Sequence, residues 1–169
     1  MISFSRWDVR MLRVGALAAA AICALAVLSS SAQAAGAPSV SCSLYASPTG
    51  SDSSGSGSQS SPFQTAQKLI DALAPGQTGC LMAGTYNDSP WLRFNSGGNA
   101  GAPITLSSAP GQTATLAGGY VYTPTGSDYV TLENLHIDGS GTTQNSIQIF
   151  GSHDALIGDD ITNHAQHSS

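Results

Sequence analysis

Positive charge is what this sequence has least of. Five Lys and Arg stand against ten Asp and Glu in 169 residues, and three of the five are Arg6, Arg10 and Arg13 near the start. Past them only Lys68 and Arg93 remain to meet a phosphate backbone, which argues against a nucleic-acid partner. The same shortage disfavours the chain as the main grip on a polyanionic polysaccharide, unless cations bridge the two. Cysteine is also scarce, with Cys23, Cys42 and Cys80 alone. Long apolar runs are scarcer still: one runs from Val14 to Leu28, and nothing comparable follows.

That run follows the three arginines and ends in small residues, with Ala32-Gln33-Ala34 fitting an A-x-A cleavage site. Basic, apolar and small-residue regions in this order are the grammar of a secretory signal peptide, placed at residues 1–34. A retained membrane anchor is the alternative, but about 15 apolar residues fall short of the about 20 a bilayer span needs. Ile22, ahead of Cys23, is too bulky for a lipoprotein cleavage site. The expectation is therefore a secreted protein with no membrane anchor after cleavage. Residues 35–41 form a mature N-terminal extension and residues 42–169 a single domain.

Removing residues 1–34 takes away three Arg and Asp8, leaving two basic and nine acidic residues, a net charge of −7. Cys42 and Cys80 are then an even pair in an oxidising compartment. A disulfide between them closes a loop of about 39 residues and, on the chain-entropy model, contributes ~4 kcal/mol. Two free thiols, or half of a metal site, are the alternatives. About 135 mature residues suffice for one domain with a sizeable core. Their small polar bias is shared by disordered chains, but recurrent apolar triplets argue against disorder beyond the Ser/Gly stretch 49–61.

A short strand candidate, Ser43 to Ala46, opens the mature domain. After the Ser/Gly loop comes one helix. Ser61 suits the N-cap, Pro62 the first helical position, and Gln64 completes an S-x-x-Q capping box. Phe63, Ala66, Leu69, Ile70 and Leu73 share one helical face, and Pro75-Gly76 ends the helix. Such a helix can cover the open end of a stack of strands. Beyond Gly76, short apolar runs alternate with turn clusters. The runs are Cys80 to Met82, Trp91 to Phe94, Ile104 to Leu106, Ala114 to Leu116, Tyr129 to Leu132, Ile147 to Phe150 and Ala155 to Ile157.

Leu81, Leu106, Leu132 and Leu156 recur at 25, 26 and 24 residues, and Ile137 to Ile161 is again 24. That period suits a solenoid whose inward residues stack on the turn below; a jelly roll or other β-sandwich is the competitor.

Several stretches carry a resemblance. They are Tyr45-Ala-Ser-Pro-Thr-Gly-Ser-Asp-Ser, Ser61-Pro-Phe-Gln-Thr-Ala-Gln-Lys-Leu-Ile-Asp-Ala-Leu, Pro75-Gly-Gln-Thr-Gly-Cys-Leu-Met-Ala-Gly-Thr-Tyr and Pro103-Ile-Thr-Leu-Ser-Ser-Ala-Pro-Gly. Their succession resembles the entry region of secreted right-handed parallel β-helix proteins, the pectate-lyase-like superfamily, over roughly residues 42 to 163. Val130-Thr-Leu-Glu-Asn-Leu-His-Ile-Asp-Gly resembles a generic coil of that fold. The resemblance implies an all-β right-handed parallel β-helix with an N-terminal capping helix. It also implies an extracellular polysaccharide as partner, an acidic glycan if the protein is a lyase. That superfamily spans lyases, glycoside hydrolases, epimerases and non-catalytic surface proteins, so function has to be argued from a site. The chain stops at His164-Ala-Gln-His-Ser-Ser without a closing amphipathic element. The expectation is an N-terminal portion, inactive by itself, because similar lyases carry their catalytic groups on middle coils.

A lyase acting on uronates neutralises a carboxylate, often through Ca²⁺, and takes the α-proton with a Lys or Arg base. Asp138, Asp159 and Asp160, with Asp154 nearby, are the metal candidates, about one repeat apart. Asp beside Gly or Asn is equally what turns require. Lys68 and Arg93 are the only candidate bases. Asp159 and Asp160 form a carboxylate pair for glycoside hydrolysis only if a turn lets both face one bond. His136, His153, His164 and His167 have no Cys or Glu partners in a zinc pattern. Asn134 and Asn163 suit turns or stacked amides. Tyr120 and Tyr122, at i and i+2, are the carbohydrate-contact candidates, with Trp91 and Tyr129 as further aromatics. The alternative to an enzyme is a non-catalytic secreted carbohydrate-binding or adhesion module.

Overall fold

The computed structural model describes residues 40–87, 91–118, 120–140 and 147–162. The chain separates into a unit of Met1–Ala35 and a unit of Gly36–Ser169. The leader expected at residues 1–34 lies outside the described residues, as do Asn163, His164 and His167.

Short stretches of alternating burial build the domain. Strand β1 (Leu44–Ala46) leads through the Ser/Gly loop to helix α1 (Ala66–Asp71). One turn of a coil then follows as β2 (Thr78–Leu81), β3 (Gly84–Tyr86) and β4 (Trp91–Arg93). The second turn is β5 (Ile104–Ser108), β6 (Ala114–Ala117) and β7 (Tyr120–Thr123). The third is β8 (Val130–Glu133), β9 (His136–Asp138) and β10 (Ile147–Ile149). β11 (Ala155–Ile157) and β12 (Asp160–Thr162) begin a fourth.

Each turn gives one strand to each of three sheets, ordered β1-β2-β5-β8-β11, β3-β6-β9-β12 and β4-β7-β10. Every ladder is parallel. The fold is therefore the expected parallel β-helix, and the sandwich is excluded.

Inward side chains form columns because in-register parallel pairing places equivalent positions one above another. Leu106 pairs with Leu132 and Leu132 with Leu156. Tyr86, Leu116, Ile137 and Ile161 make a second column, and Leu92, Val121 and Ile147 a third. The core is closed by Leu69, Phe94, Leu106 and Leu132, all at most 1% exposed.

The first step of the leucine period is different from the expected one. Leu106 pairs with Gly79, and Leu81 pairs with Ser108. The reason is the cap helix. A Cβ on Gly79 would lie 3.0 Å from Leu69 Cγ and 3.0 Å from Leu73 Cδ1. Where helix and coil meet, the column must give up its side chain.

The helix start also differs. Thr65, not Ser61, is the N-cap; its hydroxyl oxygen accepts from the Lys68 N–H. Phe63 forms a parallel bridge with Ala46 instead, so its backbone is extended where a helix from Ser61 would need it wound. Asp52 completes the cap from the Ser/Gly loop, accepting from the Gln64 and Thr65 N–H groups and the Thr65 hydroxyl. Ala66, Leu69 and Ile70 form the buried face of the helix, and Phe63 and Leu73 are buried beside it from positions outside its ends.

Gln67 seals the outer edge of β4. Its Oε1 accepts from the Arg93 N–H and its Nε2 donates to the Arg93 carbonyl, each at 2.8 Å. Cys42 and Cys80 are joined by a disulfide with a Cα–Cα distance of 5.6 Å, tying the chain before β1 to β2.

Candidate functional site

The outward side chains of β4, β7 and the segment after β10 carry aromatic rings on three successive turns. Register sets this arrangement: Leu92, Val121 and Ile147 stack inward, so their neighbours Trp91, Arg93 and Tyr122 turn outward. The Trp91 and Tyr122 ring centroids are 6.0 Å apart with planes 23° from parallel. Tyr122 meets Phe150 edge-on at 5.8 Å. The Arg93 guanidinium carbon sits 5.3 Å from the Tyr122 ring centroid, a cation–π contact. Trp91 is 43% exposed and Phe150 58%. Tyr122, one of the carbohydrate-contact candidates, lies between two exposed rings. The side chain of Tyr120 lies outside the described residues; its backbone pairs with Trp91. Phe150 escaped sequence reasoning because it follows the strand and reads only as a strand end.

The aspartates expected at a metal site do other work. Asp159 Oδ1 accepts from the Leu135 N–H one turn below, and Asp154 Oδ1 from the Val130 N–H, each 24 residues away. Asp160 turns outward and lies 3.0 Å from His136 Nδ1. Asp138 accepts from the N–H and hydroxyl of Ser140, a turn-forming role. In the ladder Asp160 pairs with His136 and Asp138 with Thr162, at opposite ends of β9 and β12. Asp159 and Asp160 point to opposite sides, which leaves no shared bond for a carboxylate pair. Among the described residues, no three His, Cys, Asp or Glu side chains come together to hold a metal ion. A Ca²⁺ ion takes 6–8 oxygen ligands, and this scattered donor set does not fit one.

Burial holds the Asp159 carboxyl above its ordinary 3.8, against the pull of the Leu135 and Ile157 N–H groups. Its Oδ2 and that of Asp154 are buried without hydrogen-bond partners. Asp52 shifts the other way. Desolvation pulls it upward, but the Thr65 hydroxyl, the Thr65 and Gln64 N–H groups and the charge of Lys68 together hold it below 3.8.

Among the described residues, neither candidate base faces a carboxylate cluster: Lys68 Nζ lies 6.0 Å from the Phe63 ring centroid on the cap, and Arg93 is on Tyr122. His153 stacks on Tyr129 with centroids 4.5 Å apart, both residues at positive φ. Asn134, also at positive φ, turns the corner into β9, one turn below Gly158, where a Cβ would sit 2.8 Å from Asn134 Oδ1. An open cleft of about 300 Å³ between Pro48, Thr65 and Thr85 is lined, among the described residues, by uncharged side chains.

No family model matches the chain, and no curated protein matches it by sequence. Two solved structures resemble it. The crystal structure of pectate lyase Pel9A superposes with a TM-score of 0.57 at 22% identity, covering 73% of this chain and 35% of that one. A rhamnogalacturonan lyase gives a TM-score of 0.48 at 20% identity, covering 60% of this chain and 30% of the other. The chain spans about a third of the length of each. The likeness to the pectate lyase is one of fold: a pectate-lyase-like parallel β-helix.

Proposed function

We propose that this chain recognises an extracellular polysaccharide, and that its described residues bind a glycan rather than cleave one. One observation carries the reading: the outer face of β4-β7-β10 exposes Trp91 and Phe150 on either side of Tyr122. Exposed rings with polar neighbours suit the apolar faces and hydroxyl edges of sugars. The Cys42–Cys80 disulfide and the expected leader support an extracellular setting.

The test is saturable binding of the full chain to a panel of neutral and acidic cell-wall polysaccharides. Binding to none of them overturns the reading.

Polysaccharide lyase is the second reading, favoured by the names of the two structural neighbours. It needs a base and a carboxylate-neutralising group at one place, and Lys68, Arg93 and the aspartates are dispersed. Sustained calcium-dependent release of unsaturated uronates would support it; their absence across pectate and rhamnogalacturonan would sink it for this chain.

A further inference from the structure

The domain that carries these rings has little positive charge, and Arg93 is the one cation beside them. Among the described residues Lys68 and Arg93 oppose eight acidic residues, a net of −6. Lys68 is on the cap helix, and the Arg93 guanidinium already lies against the Tyr122 ring. A polyuronate would bring negative charge to a negative domain with one cation to receive it. What the face does offer is apolar area. Trp91, Tyr122 and Phe150 come from three successive turns, so the exposed surface runs across the strands, along the direction in which turns stack.

A pyranose with every substituent equatorial has two faces made only of C–H groups. An axial hydroxyl or an axial glycosidic bond interrupts one of them. Aromatic rings favour the uninterrupted face, because contact there removes apolar surface from water without stranding a hydroxyl. We infer that the Trp91–Tyr122–Phe150 surface is a stacking site for a neutral, β-1,4-linked polysaccharide of all-equatorial pyranoses. The glycan lies across β4, β7 and the end of β10, chiefly on the exposed rings of Trp91 and Phe150, while the Arg93 guanidinium lies over the Tyr122 ring and fixes it between them. This inference rests on the glycan-binding reading above and gives it a substrate class.

The experiment is calorimetric titration of the full chain with a soluble, uncharged β-1,4-glucan and with polygalacturonate, at low and high salt. The expected result is binding to the glucan, unchanged by salt because no ion pair forms, and weaker binding or none to polygalacturonate. Trp91→Ala and Phe150→Ala should each weaken glucan binding about tenfold, while Trp91→Phe retains most of it. Phe150 is exposed enough that its variant keeps the fold if Trp91→Ala does not. Binding to polygalacturonate alone, falling steeply with salt, overturns this inference and leaves glycan recognition standing. So does glucan binding that neither alanine variant weakens. Binding to neither polymer overturns both.

Discussion

The side-chain amide of Gln67 does for Arg93 what a neighbouring strand would do. It accepts from the Arg93 N–H and donates to the Arg93 carbonyl, both at 2.8 Å, and its Nε2 also reaches Asp71 Oδ1 at 3.0 Å. β4 is the last strand of its sheet, and an unpaired edge there would expose the same two groups. The cap helix therefore ends the sheet by hydrogen bonding as well as by apolar cover.

Replacing that amide tests the point. Gln67→Ala leaves both Arg93 groups without their protein partner and should destabilise the domain by about 1–3 kcal/mol, read as a lower urea midpoint. Gln67→Glu keeps the acceptor but sets a second oxygen against the Arg93 carbonyl, so it should not rescue.

Gly79 is the place where the coil yields to the helix. Gly79→Ala puts a methyl group 3.0–3.1 Å from Leu69 and Leu73, overpacking that should cost about 1–3 kcal/mol. Thermal unfolding would show it. The double variant with Leu73→Ala should recover part of the loss, since it removes one of the two opposing side chains.

The two shifted carboxylates act on stability with opposite signs. Asp52 has a lowered folded pKa, so its contribution is fully present above its ordinary 3.8 and is lost as pH falls through the folded value. Asp159 has a raised folded pKa. Its ionisation therefore penalises the fold, a penalty absent below 3.8 and complete once pH has risen through the folded value. Unfolding measured from acid to neutral pH should show a smaller acid-side fall in Asp52→Asn. In Asp159→Asn the opposing trend should disappear.

Among the described residues, β11 and β12 carry exposed apolar side chains. Leu156, Ile157 and Ile161 are 39%, 51% and 40% exposed on strands at the edges of two sheets. Ile157→Lys should reduce self-association of this chain without weakening the inner columns, since Ile157 pairs with the partly exposed Glu133. Light scattering at increasing concentration would check it, and an unchanged profile would exclude this edge as the contact.

The parts of the fold legible in the sequence were those that repeat locally. Ile104, Leu106, Leu132 and Ile147 lie in runs of alternating or continuous apolar residues, and each falls in a strand. β3, β9 and β12 each hold one inward residue, Tyr86, Ile137 or Ile161, between polar or small neighbours, so no apolar run announces them. The disulfide was legible as an even pair. The candidate site was half legible: Tyr122 was named with Trp91 as aromatics, but their 6.0 Å approach and the addition of Phe150 depend on register. The aspartates were named from the sequence, but their backbone N–H partners were not, because Asp beside a turn looks the same whether it meets a cation or a backbone N–H.

What the sequence determined by itself was the class of fold and its columns. Side-chain alternation belongs to each strand, and a repeat of about 24 residues brings Leu132 over Leu156 and Ile137 over Ile161 in any stacked coil. The partners across turns were set by the three-dimensional packing alone. Asp159 meets the Leu135 N–H, Asp52 caps a helix from a loop, Gln67 closes β4, and Gly79 replaces a leucine in its column. Each of these joins residues six or more positions apart whose meeting depends on how turn lengths and the cap helix set the register, and no local pattern encodes that.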